Sequence, residues 1–226
     1  MVLELLLELY WSLCRAVYFF ARKNGVPFEL WPVEWHHLKP EFLKVNPLGK
    51  APALRDGERQ TESCVAMLLY LSCKYQTEAR WYPPELQACT RLPATKLPPL
   101  FPVQSLLLHF SWQPVDATQL EQPLGKLMPA LQHLDQEVLA AKPFLATEQV
   151  SLADLMALTE LMRVSCNLFR DWPWLVAWQA YVEATMGPKL VQEAHRLVLQ
   201  PRDPQEVQRD PQLAQKLVQQ VKEWLC

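Results

Sequence analysis

Hydroxyls and thiols are the side chains here whose types and placing could do chemistry. Tyr10 and Ser12 stand just ahead of Cys14-Arg15, and Ser63 stands beside Glu62 ahead of a second apolar stretch. A hydroxyl at the entry to a helix can donate to an anion, and the free N–H groups of a helix start favour a carboxylate. The six cysteines (14, 64, 73, 89, 166 and 226) form no Cys-x-x-Cys pair, so neither a metal ribbon nor a dithiol redox site has support. The five histidines show no His-Glu-x-x-His spacing, and no metal is expected.

Those residues need elements to hold them. Leu3, Leu5, Leu7 and Leu9 alternate with Glu4, Leu6 and Glu8, a period of two that predicts a strand with a strongly apolar face. From Ser12 the period changes: Cys14, Val17, Tyr18 and Ala21 predict a helix that stops at Asn24-Gly25, ahead of Pro27. Phe28 to Trp35 reads as a second strand, which Pro32 confines to a sheet edge. After a loop through Asn46-Pro47-Leu48-Gly49, Asp56-Gly57 between short extended segments predicts a hairpin. Thr61-Glu62-Ser63 opens the next helix, with Val65, Leu68, Leu69 and Cys73 as its apolar face. The order is βαβ, loop, ββ, α.

Beyond Trp81-Tyr82-Pro83-Pro84 the strand signals stop. Ser151 and Asp154 form a capping-box start, with Val150 and Leu155 placed as its hydrophobic staple, opening a helix to about Cys166. Further helices fit Trp174 to Met186, ended by Gly187-Pro188, then Leu190 to Leu199 and Leu213 to Leu225. The stretch Cys89 to Pro129 holds seven prolines and reads as largely irregular, with only Gln104 to Phe110 and parts of Thr118 to Leu139 helical, because an interior proline costs a helix about 3 kcal/mol. The fold class is an α/β N-terminal domain followed by an all-helical one, with residues 1–79 and 85–226 as the two domains.

Composition excludes several functions. Half of the 226 residues are hydrophobic and a fifth charged, with a net charge of −2, so neither nucleic acid nor an anionic membrane is an expected partner. The apolar runs are far shorter than the roughly 20 residues a bilayer crossing needs. The opening MVLELLLELY lacks a basic start and is broken by Glu4 and Glu8, which argues against a secretory signal. Reduced thiols and a cytoplasmic location follow as expectations.

Six blocks together are specific enough to name a family: CRAVYFFARKNGVPFEL, VNPLGKAPALRDGE, TESCVAMLLYLSCKYQT, WYPPELQA, VSLADLMALTELM and LVQEAH. In this order and spacing they resemble theta-class glutathione transferases, over most of residues 1–89 and 143–199. The resemblance implies a thioredoxin-like N-terminal domain, an all-α C-terminal domain, a cytosolic homodimer and glutathione as co-substrate. Ala51-Pro52 matches the family's cis-proline step, where backbone pairs with the cysteinyl part of glutathione as an added strand does. Lys50 matches a residue that contacts the tripeptide, and Glu62 and Ser63 match the pair that holds its γ-glutamyl end. His37 aligns, after a short deletion, with a histidine near the glycine carboxylate. Each has a plainer reading beside it: a turn proline, a solvated lysine, a helix cap at Ser63, an exposed loop histidine.

The catalytic position is disturbed. Glutathione must react as thiolate, and a free thiol titrates near about 8.5, with each unit of depression requiring about 1.4 kcal/mol. In the theta family a serine after the first strand donates a hydrogen bond to the sulfur, and one charge-assisted bond of about 1.5–3 kcal/mol is the size required. The family pattern is serine, any residue, proline, Cys-Arg; here Tyr10-Trp11-Ser12-Leu13-Cys14-Arg15 puts Trp11 at the serine and Leu13 at the proline. Ser12, one residue late, is the catalytic candidate, and its plainer role is the N-cap of the first helix. Tyr10 is a second donor, and Cys14 is either a thiol-exchange residue or a buried thiol. The resemblance implies a transferase that joins glutathione to small electrophiles; the alternative is a non-catalytic glutathione-binding or scaffold protein with the same fold.

Overall fold

The computed structural model describes residues 2–9, 11–33, 40–47, 49, 51–61, 63–82, 125, 127–162 and 171–199. Tyr10, His37, Lys50 and Glu62 lie outside these residues, as do Cys166, the helix expected at Leu213 to Leu225 and most of the proline-rich stretch.

The N-terminal part is a four-stranded sheet with helices on both faces. Strand β1 (Glu4–Leu7) leads into helix α1 (Ser12–Lys23), which Asn24 and Gly25 end, Gly25 taking the positive φ of 62° that a side chain resists. Strand β2 (Glu29–Pro32) pairs in parallel with β1 alone and forms the edge, as its proline requires. It is shorter than the Phe28 to Trp35 run. A short helix α2 (Pro40–Val45) follows, in a segment the periodicity leaves as loop because six residues are too few to show a period. Strands β3 (Ala53–Asp56) and β4 (Arg59–Thr61) form the hairpin about Gly57, giving the order β2-β1-β3-β4.

Both faces of β1 are covered. Leu5 and Leu7 point into the main core with α1 and helix α3 (Cys64–Lys74), whereas Leu6 joins Val33, Phe42, Val45 and Ala53 under α2. The buried face of α3 is Cys64, Met67, Leu68 and Leu71, while Val65 and Cys73 face out. The expected face Val65-Leu68-Leu69-Cys73 is therefore rotated. The helix is apolar nearly all round, so spacing alone cannot choose its inner side.

Among the described residues the regular elements of the C-terminal part are all helical. Residues 127–133 are helical and run into a π-helical turn, Leu134–Leu139, inside the Thr118 to Leu139 run whose spacing is partly helical. Helix α4 (Leu152–Leu161) starts at the expected capping box and ends at Met162, before Cys166. The Asp154 carboxylate accepts from the backbone N–H groups of Ser151 (2.9 Å) and Leu145 (2.8 Å), from the Ser151 hydroxyl (2.8 Å) and from the Trp178 indole (2.8 Å). Helix α5 (Pro173–Met186) ends at Gly187, and α6 (Pro188–Leu199) follows at once. One core runs from Leu5 and Phe20 in the N-terminal part to Leu155, Trp178 and Ala194 in the other.

Candidate functional site

The strand register brings three chain segments to one end of the sheet. Leu6 pairs with Ala53, so the end of β1 lies beside the start of β3, and Leu54 pairs with Thr61, so the end of β4 lies there too. The loop leaving β1, the Ala51-Pro52 step entering β3 and Ser63 leaving β4 therefore share that end. The Ala51–Pro52 peptide bond is cis. Helices α1 and α3 both begin here, and the Cys64 thiol at the head of α3 donates to the Leu13 carbonyl in the first turn of α1 at 3.6 Å. Two helix N-termini in contact concentrate positive potential at this corner, which suits a thiolate or a carboxylate.

Ser63 caps α3, its hydroxyl accepting from the Ala66 N–H at 3.4 Å, and the residue is exposed. The cap of α1 is Trp11, not Ser12. Trp11 has extended backbone angles (φ −83°, ψ 135°), makes no side-chain cap bond and packs half-buried against the main core. Ser12 is the first residue inside the helix and only 5% exposed. Its hydroxyl donates to the Glu160 carboxylate near the end of α4. A side chain one residue past the cap points about a quarter-turn further round the helix, and that rotation turns the Ser12 hydroxyl toward the helical half.

Arg15 ties the same corner down. It is completely buried, and its guanidinium donates to the Leu9 carbonyl at 3.0 Å and the Thr159 carbonyl at 2.7 Å. The junction of β1 and α1 is thus held to α4 twice, at Thr159 through Arg15 and at Glu160 through Ser12. Cys14 is wholly buried, and burial pushes its thiol far above the ordinary range, so it is a packing thiol without thiolate reactivity. The Cys64 thiol is pushed up to about 12, first by burial and then by the negative charge of Glu160. Cys14, Cys64 and Cys73 are free thiols.

Of the expected site residues, Ser12, Ala51, Pro52 and Ser63 stand at this one end of the sheet. Glu160 and Arg15 are what sequence reasoning missed. A glutamate one residue from the end of an apolar helix carries no signal distinguishing it from a solvated one. Among the described residues no group of three or more His, Cys, Asp or Glu is placed to hold a metal, and no helix is long and apolar enough to cross a membrane.

Residues 7–79 match the model of the glutathione S-transferase N-terminal domain. Over 237 residues the chain is 40% identical to glutathione S-transferase theta-1 of Bos taurus, covering 98% of each. The chain belongs to the theta class of glutathione S-transferases. Its fold superposes on the apo form of human glutathione S-transferase T1-1 with a TM-score of 0.87 at 39% identity, covering 98% of both chains. A human theta-class structure in complex with the glutathione conjugate of 1-menaphthyl sulfate matches with a TM-score of 0.86 at 38% identity, over 98% of this chain and 99% of that one.

Proposed function

We propose that this theta-class chain binds glutathione at the sheet end where α1 and α3 begin, and conjugates its thiolate to small electrophiles. The convergence of the two helix N-termini beside the start of β3 carries the reading. The relative that holds a glutathione conjugate shares this fold over nearly its whole length. At the Ala51-Pro52 step the Ala51 backbone would pair with the cysteinyl part, Ser63 and Glu62 would hold the γ-glutamyl end, Lys50 would contact the tripeptide and His37 would approach the glycine carboxylate. Ser12 is the proposed catalytic donor to the sulfur. The division into residues 1–79 and 85–226 belongs to the same reading, as do the cytoplasmic location and the homodimer, for which the exposed Val65 on the outer side of α3 offers apolar surface.

The test is retention on immobilised glutathione together with conjugation of a reactive aryl halide. Ser12→Ala is expected to lower kcat/KM about tenfold or more with glutathione affinity nearly unchanged, the loss of one charge-assisted bond. Equal rates in the two proteins would remove Ser12 from the mechanism. One observation favours a second reading, a glutathione-binding protein without turnover: the Ser12 proton is already given to Glu160. Retention without any conjugation would decide for it.

A further inference from the structure

A carboxylate from the helical half reaches into the corner where glutathione sulfur would lie. Glu160 accepts the Ser12 hydroxyl, and its charge is also felt at the Cys64 thiol, the residue next to Ser63. A serine hydroxyl has one proton to give. While that proton is on Glu160 it is not on a sulfur, and a second negative charge nearby opposes the thiolate by Coulomb repulsion. We propose that Glu160 is a positioning residue of the reaction, competing with the glutathione sulfur for the Ser12 proton and restraining formation of the thiolate. The inference rests on the glutathione reading above and adds to it the element that sets the rate.

Among the described residues, the charged and titratable groups facing this corner are Glu8 from the loop after β1, Cys14 and Arg15 from α1, Cys64 from α3, Glu160 from α4 and His195 from α6, whose ring lies near Arg15. Arg15 is a cation among them, and its guanidinium donates to the Leu9 and Thr159 carbonyls, which holds the loop in place. Glu160 is half-buried, the setting in which a charge is screened least by solvent short of full burial.

No covalent change in the protein is involved. In the resting chain the Ser12 O–H donates to a Glu160 oxygen; in the reacting complex the same O–H turns to the sulfur after the thiol proton has left to solvent. The sulfur then attacks the electrophile, forming the carbon–sulfur bond and releasing the leaving group with its electron pair.

The experiment titrates bound glutathione by the ultraviolet absorbance of its thiolate, alongside the pH–rate profile for an aryl halide, in the full chain and in Glu160→Ala, Glu160→Gln, Ser12→Ala and the Ser12→Ala/Glu160→Ala pair. Glu160→Ala is expected to move the thiol titration and the acid limb of the rate profile down by about one pH unit, about tenfold in rate at a pH below that limb. Glu160→Gln removes the charge but keeps an acceptor of the same shape, so it secures the fold and is expected to give about half the shift. In the Ser12→Ala background, Glu160→Ala is expected to shift the titration by less than half as much. An unchanged titration in Glu160→Ala, or the same shift with and without Ser12, overturns the proposal and leaves glutathione binding standing. Absence of glutathione binding in the unaltered chain, read by calorimetry, overturns both.

Discussion

At the scale of single residues the corner is decided by which of two neighbours points where. Trp11 is the cap of α1, where serine is among the preferred residues, and the Cys14-Arg15 register aligns it with the serine of the family pattern in our reading. Trp11→Ser would supply both a cap bond to α1 and a hydroxyl at the position from which theta enzymes reach the sulfur. We expect it to raise conjugation about tenfold or more, the value of one charge-assisted bond, measured as kcat/KM with an aryl halide. An unchanged rate would mean that the sulfur does not lie opposite residue 11. That Trp11 is displaced from the pattern is legible from the Cys14-Arg15 register alone. That Ser12 is spoken for is not, because its partner lies 148 residues away.

At the scale of elements, α4 is the helix on which both halves depend. Its first turn is held by Asp154 and its last by Arg15 and Ser12 of α1. The Asp154 carboxylate satisfies four donors from three places in the chain, all of them buried bonds. Asp154→Ala leaves those donors without an acceptor. The expected loss of stability is about 3–5 kcal/mol, at the upper end for single substitutions, read from denaturant unfolding. Ser151→Ala, which removes one of the four, should cost about 1 kcal/mol. The capping box was readable from Ser151 and Asp154 three residues apart. Its bond to Trp178 was not, because nothing in local spacing links α4 to α5.

At the scale of the molecule, one continuous core joins the sheet half to the helical half. His195 of α6 lies within it, fully buried, with its ring centre 5.2 Å from that of Phe19 of α1 and Nδ1 3.0 Å from the Val191 carbonyl. Burial, and after it the Arg15 charge, push its pKa down to about 4. The unfolded chain takes up a proton near the ordinary value of about 6.5, and the folded chain does not until about 4. Stability is therefore lost as pH falls from about 6.5 towards 4, at up to about 1.4 kcal/mol per pH unit within that window. His195→Gln should flatten the dependence between pH 6.5 and 5, measured as the shift of the urea midpoint with pH. A dependence equally steep in that variant would place the proton uptake elsewhere. Because the core is shared, both halves are expected to unfold in one transition.

Local order was within reach of the sequence by itself. The periods of two and 3.6, the Asp56-Gly57 turn, the Asn24-Gly25 and Gly187 stops and the capping box all act between residues a few positions apart. They specify the αβ half, the helical half and the blocks that mark the theta family. Tertiary structure decided what those rules leave degenerate. An all-round apolar helix such as α3 has no preferred inner face until a neighbour covers one. A hydroxyl such as Ser12 has no fixed role until packing sets an acceptor beside it. Glu160 meets α1 only because Arg15 and the shared core bring α4 there, and a contact between distant residues is a property of packing, which spacing does not encode.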